Sequence, residues 1–123
     1  MKAIHTMKAP AAIGPYSQAV VRNGTLYSSM QIGIDPANGE LVEGFVNQAE
    51  QVMHNLRAIL EMAELGFGKV LRTTVYLTDL AHYQTFNDIY SRYFQDEFPA
   101  REVVEVYRLP AGADIGVSVI ASS

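Results

Sequence analysis

The sequence predicts an α+β fold in which two helices cover one face of a single β-sheet. Two segments carry apolar residues at three- and four-residue spacing, as amphipathic helices do, and the other apolar segments alternate or are rich in β-branched residues, as strands are. Two helices cover only one face of such a sheet, so we expect a two-layer sandwich with an open second face. A chain of 123 residues is typical of one domain, so residues 1–123 are expected to form a single domain.

The predicted sheet begins with a hairpin around Asn23 and Gly24. Apolar runs at residues 18–22 and 25–32 flank this pair, and Asn-Gly is the strongest short-range signal of a tight hairpin turn. Side chains alternate between the two faces of a strand. On the second strand, alternation places Leu26, Ser28, Met30 and Ile32 on one face, and Tyr27, Ser29 and Gln31 on the other.

Two helices are predicted at residues 46–63 and 80–94. The apolar residues of the first helix recur at helical spacing until Gly66 and Gly68 end it. A run rich in β-branched residues at 70–78 predicts a strand between the helices. Asp79 is placed to cap the second helix, whose broad aromatic stripe is explained by packing on the sheet.

The next predicted strand lies between Pro99 and Pro110, because proline cannot donate a ladder hydrogen bond. Alternation predicts that the face with Val104 and Val106 meets the core, and that the other face lies on the open side of the sheet. Because this open side is half apolar, it predicts burial against another subunit. The residues predicted on the open side are Ser29, Arg101, Val103, Glu105 and Gly116.

Arg101 is the strongest candidate for a ligand-binding residue. Its guanidinium group is always charged, and the planar fork matches a carboxylate with two hydrogen bonds. The alternative, from position alone, is an ordinary surface salt bridge. Gly116 lies inside the last predicted strand, residues 115–121, where a glycine often marks the close approach of another group.

Composition excludes several classes of function. The net charge is −4 and the nine basic residues form no run, so no nucleic-acid partner is expected. The absence of cysteine excludes disulfides, thiolate catalysis and cysteine-ligated metal. No apolar run reaches the ~20 residues that cross a bilayer, and no signal-peptide core follows Met1. We therefore expect a cytoplasmic protein with no membrane partner.

Five blocks of sequence are familiar as an ordered set. They are residues 12–19 (AIGPYSQA), 28–32 (SSMQI), 73–80 (TTVYLTDL), 86–90 (FNDIY) and 98–101 (FPAR), the last followed by Leu109-Pro110. Together they resemble the RidA/YjgF family, the reactive-intermediate deaminases, over nearly the whole chain. Several blocks in the same order are far more specific than any single one.

The resemblance implies a chorismate-mutase-like sandwich with a six-stranded mixed sheet, assembled as a homotrimer with three clefts between subunits. It also implies an enzyme that hydrolyses 2-imino or enamine acids, such as 2-iminobutanoate and 2-iminopropanoate, to 2-keto acids and ammonia without a metal or cofactor. Carried over by position, Arg101 grips the carboxylate of the substrate. Tyr16, Ser29 and Asn87 would line the same cleft.

The chain departs from the family pattern in this cleft. The active deaminases carry a glutamate that orients the attacking water, where this chain has Gly116. They usually have glycine where this chain has Met30, and commonly cysteine where it has Val103. Loss of a positioned acid/base group typically slows a reaction by about 10²–10⁴-fold. Alternation places Met30 opposite Ser29, under the helices, so Gly116 is expected to leave open space in a reshaped pocket.

Neither nearby glutamate is an obvious replacement for the missing acid. Glu105 lies roughly 13 Å along the strand from Arg101, and Glu102 points to the other face. Three hypotheses therefore stay open. The chain is a RidA-type deaminase with weak or altered activity, a non-hydrolytic trimer that binds or senses small carboxylates, or a specialised catabolic deaminase for a bulkier substrate.

Overall fold

The computed structural model describes residues 1–123 and contains one mixed sheet, a small two-stranded ribbon and two α-helices. The helices are α1 (Phe45–Met62) and α2 (Tyr83–Ser91). The strands are β1 (Lys2–Ile4), β2 (Ala19–Arg22), β3 (Thr25–Ser28), β4 (Gln31–Ile32), β5 (Ile34–Asp35), β6 (Glu40–Leu41), β7 (Val70–Leu77), β8 (Ala100–Glu105) and β9 (Ile115–Ser122). The predicted α+β class with two helices is confirmed.

The main sheet runs in the order β1-β2-β3-β9-β7-β8, and β4 pairs with β9. Neighbouring strands are antiparallel except β7 and β8, which are parallel. Parallel strands need a crossover connection, and α2 lies within it. The sheet has seven strands instead of the predicted six, because the predicted strand at 25–32 is split into β3 and β4.

The core lies between the two helices and one face of the sheet. A fully buried aliphatic or aromatic side chain contributes about 1.5–3 kcal/mol relative to an exposed one, so this layer holds most of the apolar stabilisation. Its largest fully buried side chains are Leu26, Val52, Met53, Leu56, Ile59, Leu60, Val75, Leu77, Phe86, Ile115 and Val117.

The second predicted helix is shorter than its pattern suggested. Leu80–His82 form a single 3₁₀ turn, and Asp79 caps this turn by accepting the Ala81 N–H at 2.9 Å. The α-helix itself then covers only Tyr83–Ser91. Neither α-helix combines the length and the apolar character that a membrane span requires.

The predicted faces of β8 are wrong. Arg101 lies level with Thr73 of β7, and Val103 lies level with Val75. Because Thr73 and Val75 are buried in the core, Arg101 and Val103 point to the helix side, and Val104 points to the open side, where it is 42% exposed. Alternation shows which residues share a face, but both faces of β8 carry a valine, so the pattern did not show which face meets the core.

A one-residue bulge separates β3 from β4. Tyr27 lies level with Ile120 of β9, whereas Gln31 lies level with Val117, so four steps along one strand match three along the other. The extra residue inverts the alternation. Gln31 is therefore buried, and Met30 lies on the open side, not under the helices as predicted.

Polar groups released by the bulge find new partners. The Val119 N–H donates to Ser28 Oγ at 2.9 Å instead of to a strand carbonyl. The Ser29 N–H donates to the Gln18 carbonyl at 2.9 Å. Both donors are therefore satisfied, and the irregular stretch is held in one conformation.

The open face of the sheet has no cover within the chain. Val20, Tyr27 and Ile120 lie in one row across three strands, and Tyr76 lies level with both Val104 and Gly116. Tyr27 is 48% exposed. An open, half-apolar face is thus present as predicted, although Arg101, Val103 and Glu105 do not belong to it.

Candidate functional site

Arg101 extends from the start of β8 towards α2. Its Nη2 donates to Asn87 Oδ1 at 2.7 Å and to the Tyr83 hydroxyl at 3.3 Å. The guanidinium carbon lies 4.9 Å from the centre of the Tyr90 ring and 5.8 Å from that of Phe86. An amide and aromatic faces therefore position the cation, while most of its five N–H donors stay available.

No carboxylate neutralises Arg101. The surface salt bridge considered from the sequence is not formed, because the nearest hydrogen-bond partners are the neutral groups Asn87 and Tyr83. An uncompensated guanidinium at the edge of a pocket is suited to the carboxylate of a small ligand. The ion pairs of the chain are Arg72–Glu102 and Arg92–Glu50.

The Arg101 pocket, about 330 Å³, is lined by Asn87, Tyr90, Ser91, Phe98, Pro99 and Arg101. Tyr90 forms its base and is 4% exposed, and its hydroxyl donates to Thr73 Oγ1 at 2.9 Å. Burial raises the pKa of Tyr90, although the hydrogen bond with Thr73 and the charge of Arg101 partly oppose this. Tyr90 therefore stays a neutral phenol and presents its ring, not a negative charge, to the guanidinium.

A second and larger pocket surrounds the bulge between β3 and β4. This Met30 cleft has a volume of about 560 Å³ and is lined by thirteen residues, none of them charged. Tyr16, Ser29 and Met30 lie in it beside apolar residues such as Ile13 and Ile34. The Ser29 hydroxyl donates to the Ser17 carbonyl at 2.6 Å, so its oxygen is directed to accept a hydrogen bond from a ligand or water.

Gln18 holds one wall of the Met30 cleft. Its side chain is buried; Oε1 accepts the Thr6 N–H at 2.7 Å, and Nε2 donates to the carbonyls of Thr6 at 3.0 Å and Pro10 at 2.8 Å. These bonds attach the segment before the hairpin to β2. Pro10 and Ala11 then line the cleft, so Gln18 acts by positioning and does not itself line it.

Met30 occupies the space beside Gly116. A β-carbon added to Gly116 would lie 2.6 Å from Met30 Sδ and 3.0 Å from its Cγ, much closer than carbon and sulfur approach. The bulge brings Met30 to this face, so the open space expected at Gly116 is filled by a thioether. Met30 is thus a wall of the cleft that alternation alone had placed elsewhere.

Within one chain, neither glutamate of β8 lines these pockets. Glu102 pairs with Arg72 on the open side of the sheet. Glu105 lies on the helix side, where Oε1 accepts the Leu80 N–H at 2.9 Å. No group of three or more histidine, cysteine, aspartate or glutamate residues is close enough to hold a metal ion.

The predicted site residues thus fall into two groups within one chain. Arg101 and Asn87 meet at the helix side of β8, with Val103 two residues further along the same face. Tyr16 and Ser29 meet at the Met30 cleft, and Gly116 lies behind Met30. No residue lines both pockets.

Tyr83, Phe86 and Tyr90 belong to the aromatic stripe that was predicted to pack on the sheet, and they also surround Arg101, which was not predicted. The available signal was helical spacing, since Tyr83, Asn87 and Tyr90 recur at intervals of four and three residues on one face of α2. Asn87, which the family resemblance predicts to line the cleft, lies on that same face. For Met30, the local pattern gave no sign of the bulge, because neither glycine nor proline marks it. The departure from the family pattern at this position was the available signal.

Comparisons with known proteins identify the family of the chain. The family model described as "Endoribonuclease L-PSP" matches residues 6–123. The chain is 48% identical over 121 residues to a 2-iminobutanoate/2-iminopropanoate deaminase of Bos taurus. The aligned region covers 98% of this chain and 88% of the relative. The fold of the chain is similar to the crystal structure of RidA from an Antarctic Psychrobacter, with a TM-score of 0.98, 41% identity and coverage of 100% of both chains. It is also similar to the crystal structure of E. coli TdcF with bound serine, with a TM-score of 0.97, 36% identity and coverage of 100% of this chain and 99% of the other. With matches of this extent, the chain belongs to the RidA/YjgF family.

Proposed function

We propose that this protein is an imine deaminase that hydrolyses 2-imino acids, such as 2-iminobutanoate and 2-iminopropanoate, to 2-keto acids and ammonia. The observation that carries the proposal is Arg101, whose guanidinium is positioned by Asn87 and Tyr90 and has no carboxylate partner. Relatives at 46–48% identity carry the name of this activity. TdcF, a similar fold, was crystallised with serine, a small amino acid with the same carboxylate group.

The reaction requires orientation more than strong acid or base chemistry. Arg101 binds the carboxylate and so fixes the adjacent C=N bond. Water then adds to the imine carbon, the π electrons pass to nitrogen, and a proton moves from the added water to nitrogen. The second proton of that water then passes from the new hydroxyl to nitrogen as the C=O bond forms, and the C–N bond breaks to release ammonia and leave the 2-keto acid. One water is therefore consumed for each imine.

The polar groups that can orient this water are few. In the Met30 cleft they are the hydroxyls of Tyr16 and Ser29 and the backbone around the bulge, because none of the lining residues is charged. A hydroxyl is a weaker base than a carboxylate. We therefore expect the chemical step to be about 10²–10⁴-fold slower than in relatives that carry a glutamate at the position of Gly116.

We further propose that the complete site forms between copies of the chain in a homotrimer. The two groups of site residues lie in separate pockets of one chain. The open sheet face, with Tyr27 and Val104 48% and 42% exposed, is an apolar surface of the kind that subunits bury. Packing this face against a neighbour would bring the Arg101 pocket of one copy to the Met30 cleft of the next.

A second candidate function is a trimer that binds small carboxylates without hydrolysis. The specific observation in its favour is the absence of any charged side chain in the Met30 cleft. Both candidates require Arg101 for binding. They differ in whether the protein accelerates the conversion of the bound imine to the keto acid.

A coupled assay separates the two candidates. A serine or threonine dehydratase generates the imine, semicarbazide competes for it, and formation of the semicarbazone and of the keto acid is followed with and without the protein. Arg92→Ala is the matched control for Arg101→Ala, because Arg92 is an exposed arginine at the end of α2, 65% exposed in its side chain.

Faster keto-acid release that survives Arg92→Ala and disappears in Arg101→Ala supports the deaminase. No acceleration at high protein concentration, together with Arg101-dependent binding of 2-oxobutanoate in calorimetry, supports the non-hydrolytic binder. Acceleration that persists in Arg101→Ala would remove Arg101 from its assigned role.

A further inference from the structure

We propose that Met30 is a specificity-determining residue, and that the Met30 cleft binds the apolar side chain of 2-imino acids longer than 2-iminobutanoate. This inference rests on the proposed deaminase function and names its substrate class. The observations that carry it are the filled space at Gly116, the lack of charge in the cleft and the size of the cleft.

The contact between Met30 and Gly116 makes the cleft wall uncharged at this point. With Sδ only 2.6 Å from the place of an added β-carbon, the thioether lies directly on the glycine backbone. Gly116 is buried within the chain, and Met30 is half-buried. The cleft therefore has a polarizable, uncharged wall at this point, which suits methylene groups and gives no site for an ion or a bound acid.

The remaining lining has the same character. Seven of the thirteen residues are hydrophobic, and the only ionisable side chain among them is the phenol of Tyr16. An apolar group is stabilised by entering such a cleft, whereas an unpaired charge would lose its hydration without compensation. The ligand portion that enters is therefore uncharged and apolar, and its carboxylate must lie elsewhere, at a guanidinium such as that of Arg101 from the neighbouring copy in the proposed trimer.

The size of the cleft favours a longer side chain. In the single chain its volume is about 560 Å³, within the range of about 300–1,000 Å³ typical of small-molecule pockets. Methyl and ethyl groups leave most of such a space unfilled. Each additional buried methylene contributes about 0.8 kcal/mol, which is about fourfold in binding.

A homologous series of substrates measures this directly. An L-amino-acid oxidase generates the imines of 2-aminobutanoate, norvaline and norleucine, which differ by one methylene each, and semicarbazide trapping reports the acceleration by the protein. We expect apparent kcat/KM to rise about fourfold per methylene. Met30→Gln, similar in shape but polar, should flatten the series, and Met30→Leu should retain it. Met7→Gln is the control, because Met7 is 95% exposed and lines no part of the Met30 cleft.

The outcomes separate this inference from the proposed function. Acceleration of all three imines with no dependence on length, or an equal slope in Met30→Gln, overturns the role of Met30 while the deaminase stands. No acceleration of any imine overturns the proposed function. Calorimetry with the three matching 2-keto acids then decides the inference: a fourfold gain per methylene that Met30→Gln removes supports it, and equal affinities overturn it.

Discussion

Met30 Sδ lies 2.6 Å from the point where a β-carbon on Gly116 would stand, so any side chain at position 116 must displace Met30 from its present position. We therefore expect Gly116→Glu alone to lower the free energy of unfolding by about 1–3 kcal/mol, as overpacking does. The double variant Met30→Gly/Gly116→Glu removes the clash and should recover much of that loss. Urea denaturation of the wild type, both single variants and the double variant measures the coupling, expected at about 0.5–3 kcal/mol.

The same four proteins test whether a carboxylate at position 116 can orient the water that attacks the imine. In the coupled imine assay, the double variant should exceed Gly116→Glu, because in the single variant Met30 competes with the new side chain for space. Additive stabilities would show that Met30 moves aside freely. Equal activities of the double and single variants would show that the carboxylate does not reach the imine.

The bulge also marks the limit of what the sequence could predict. The hairpin at Asn23-Gly24, whose φ angles are +52° and +78°, the helix α1 and the strand β7 all follow from local patterns. An inserted residue at a bulge reverses every later side chain of a strand, and its energy comes from partners distant in sequence, such as Val119 donating to Ser28. For this reason Met30 was placed on the wrong face.

The misassigned faces of β8 have a related cause. Both Val103 and Val104 fit a core position, and pairing with β7 decides between them. That pairing is parallel and is made through α2, so it depends on contacts that no short window of sequence contains. The family resemblance predicts Arg101 and Asn87 as site residues, and their roles stay a prediction. Their contact at 2.7 Å is a property of the fold that the sequence did not show.

Both the planar fork and the charge of Arg101 should contribute to ligand binding. Arg101→Lys retains a positive charge but not two parallel donors, and Arg101→Ala removes both. We expect binding of 2-oxobutanoate to weaken in the order wild type, Lys, Ala, with a loss on the order of 10–100-fold for Ala, typical of a hydrogen bond to a charged group. Calorimetry measures the affinities, and a Lys variant equal to wild type would contradict bidentate binding.

Asn87→Asp tests whether ligand binding depends on Arg101 having no carboxylate partner within the chain. The variant is nearly isosteric and places a carboxylate 2.7 Å from Arg101 Nη2, where Asn87 Oδ1 now lies. An internal ion pair would then occupy the guanidinium, so keto-acid affinity should fall at least about tenfold while the melting temperature stays equal or rises. Asn87→Ala removes the positioning contact without adding charge. A fall of affinity equal in both variants would show that positioning, not charge, is what Asn87 provides.

The open face of the sheet should control assembly. Tyr27→Asp or Val104→Asp places a charge on an apolar surface that the proposed trimer buries, so each should shift the protein towards monomers. Val46→Asp is the control, because Val46 is 52% exposed at the start of α1, in the helix layer. Light scattering after size-exclusion chromatography gives the masses. A wild type that elutes as a monomer, or a trimer unaffected by both open-face variants, would contradict the proposed interface.

Tyr93 should give the fold a dependence on alkaline pH. Burial, followed by its hydrogen bond to Glu50 Oε1 at 3.0 Å, raises the pKa of Tyr93 from 10.0 to about 12. The phenol ionises near pH 10 in the unfolded chain and near pH 12 in the folded one. Its contribution to stability is therefore complete below pH 10 and is lost as the pH rises from 10 to 12.

The melting temperature of the wild type should accordingly fall more steeply between pH 10 and 12 than that of Tyr93→Phe, which cannot ionise at this position. Tyr107→Phe is the matched control, because Tyr107 is 90% exposed and the same substitution there removes no buried contact. Tyrosinate absorbance gives an independent reading: Tyr93→Phe should lose one late-ionising group from the folded-state titration. Parallel melting curves for wild type and Tyr93→Phe over this range would show that the pKa of Tyr93 is not raised in the folded protein.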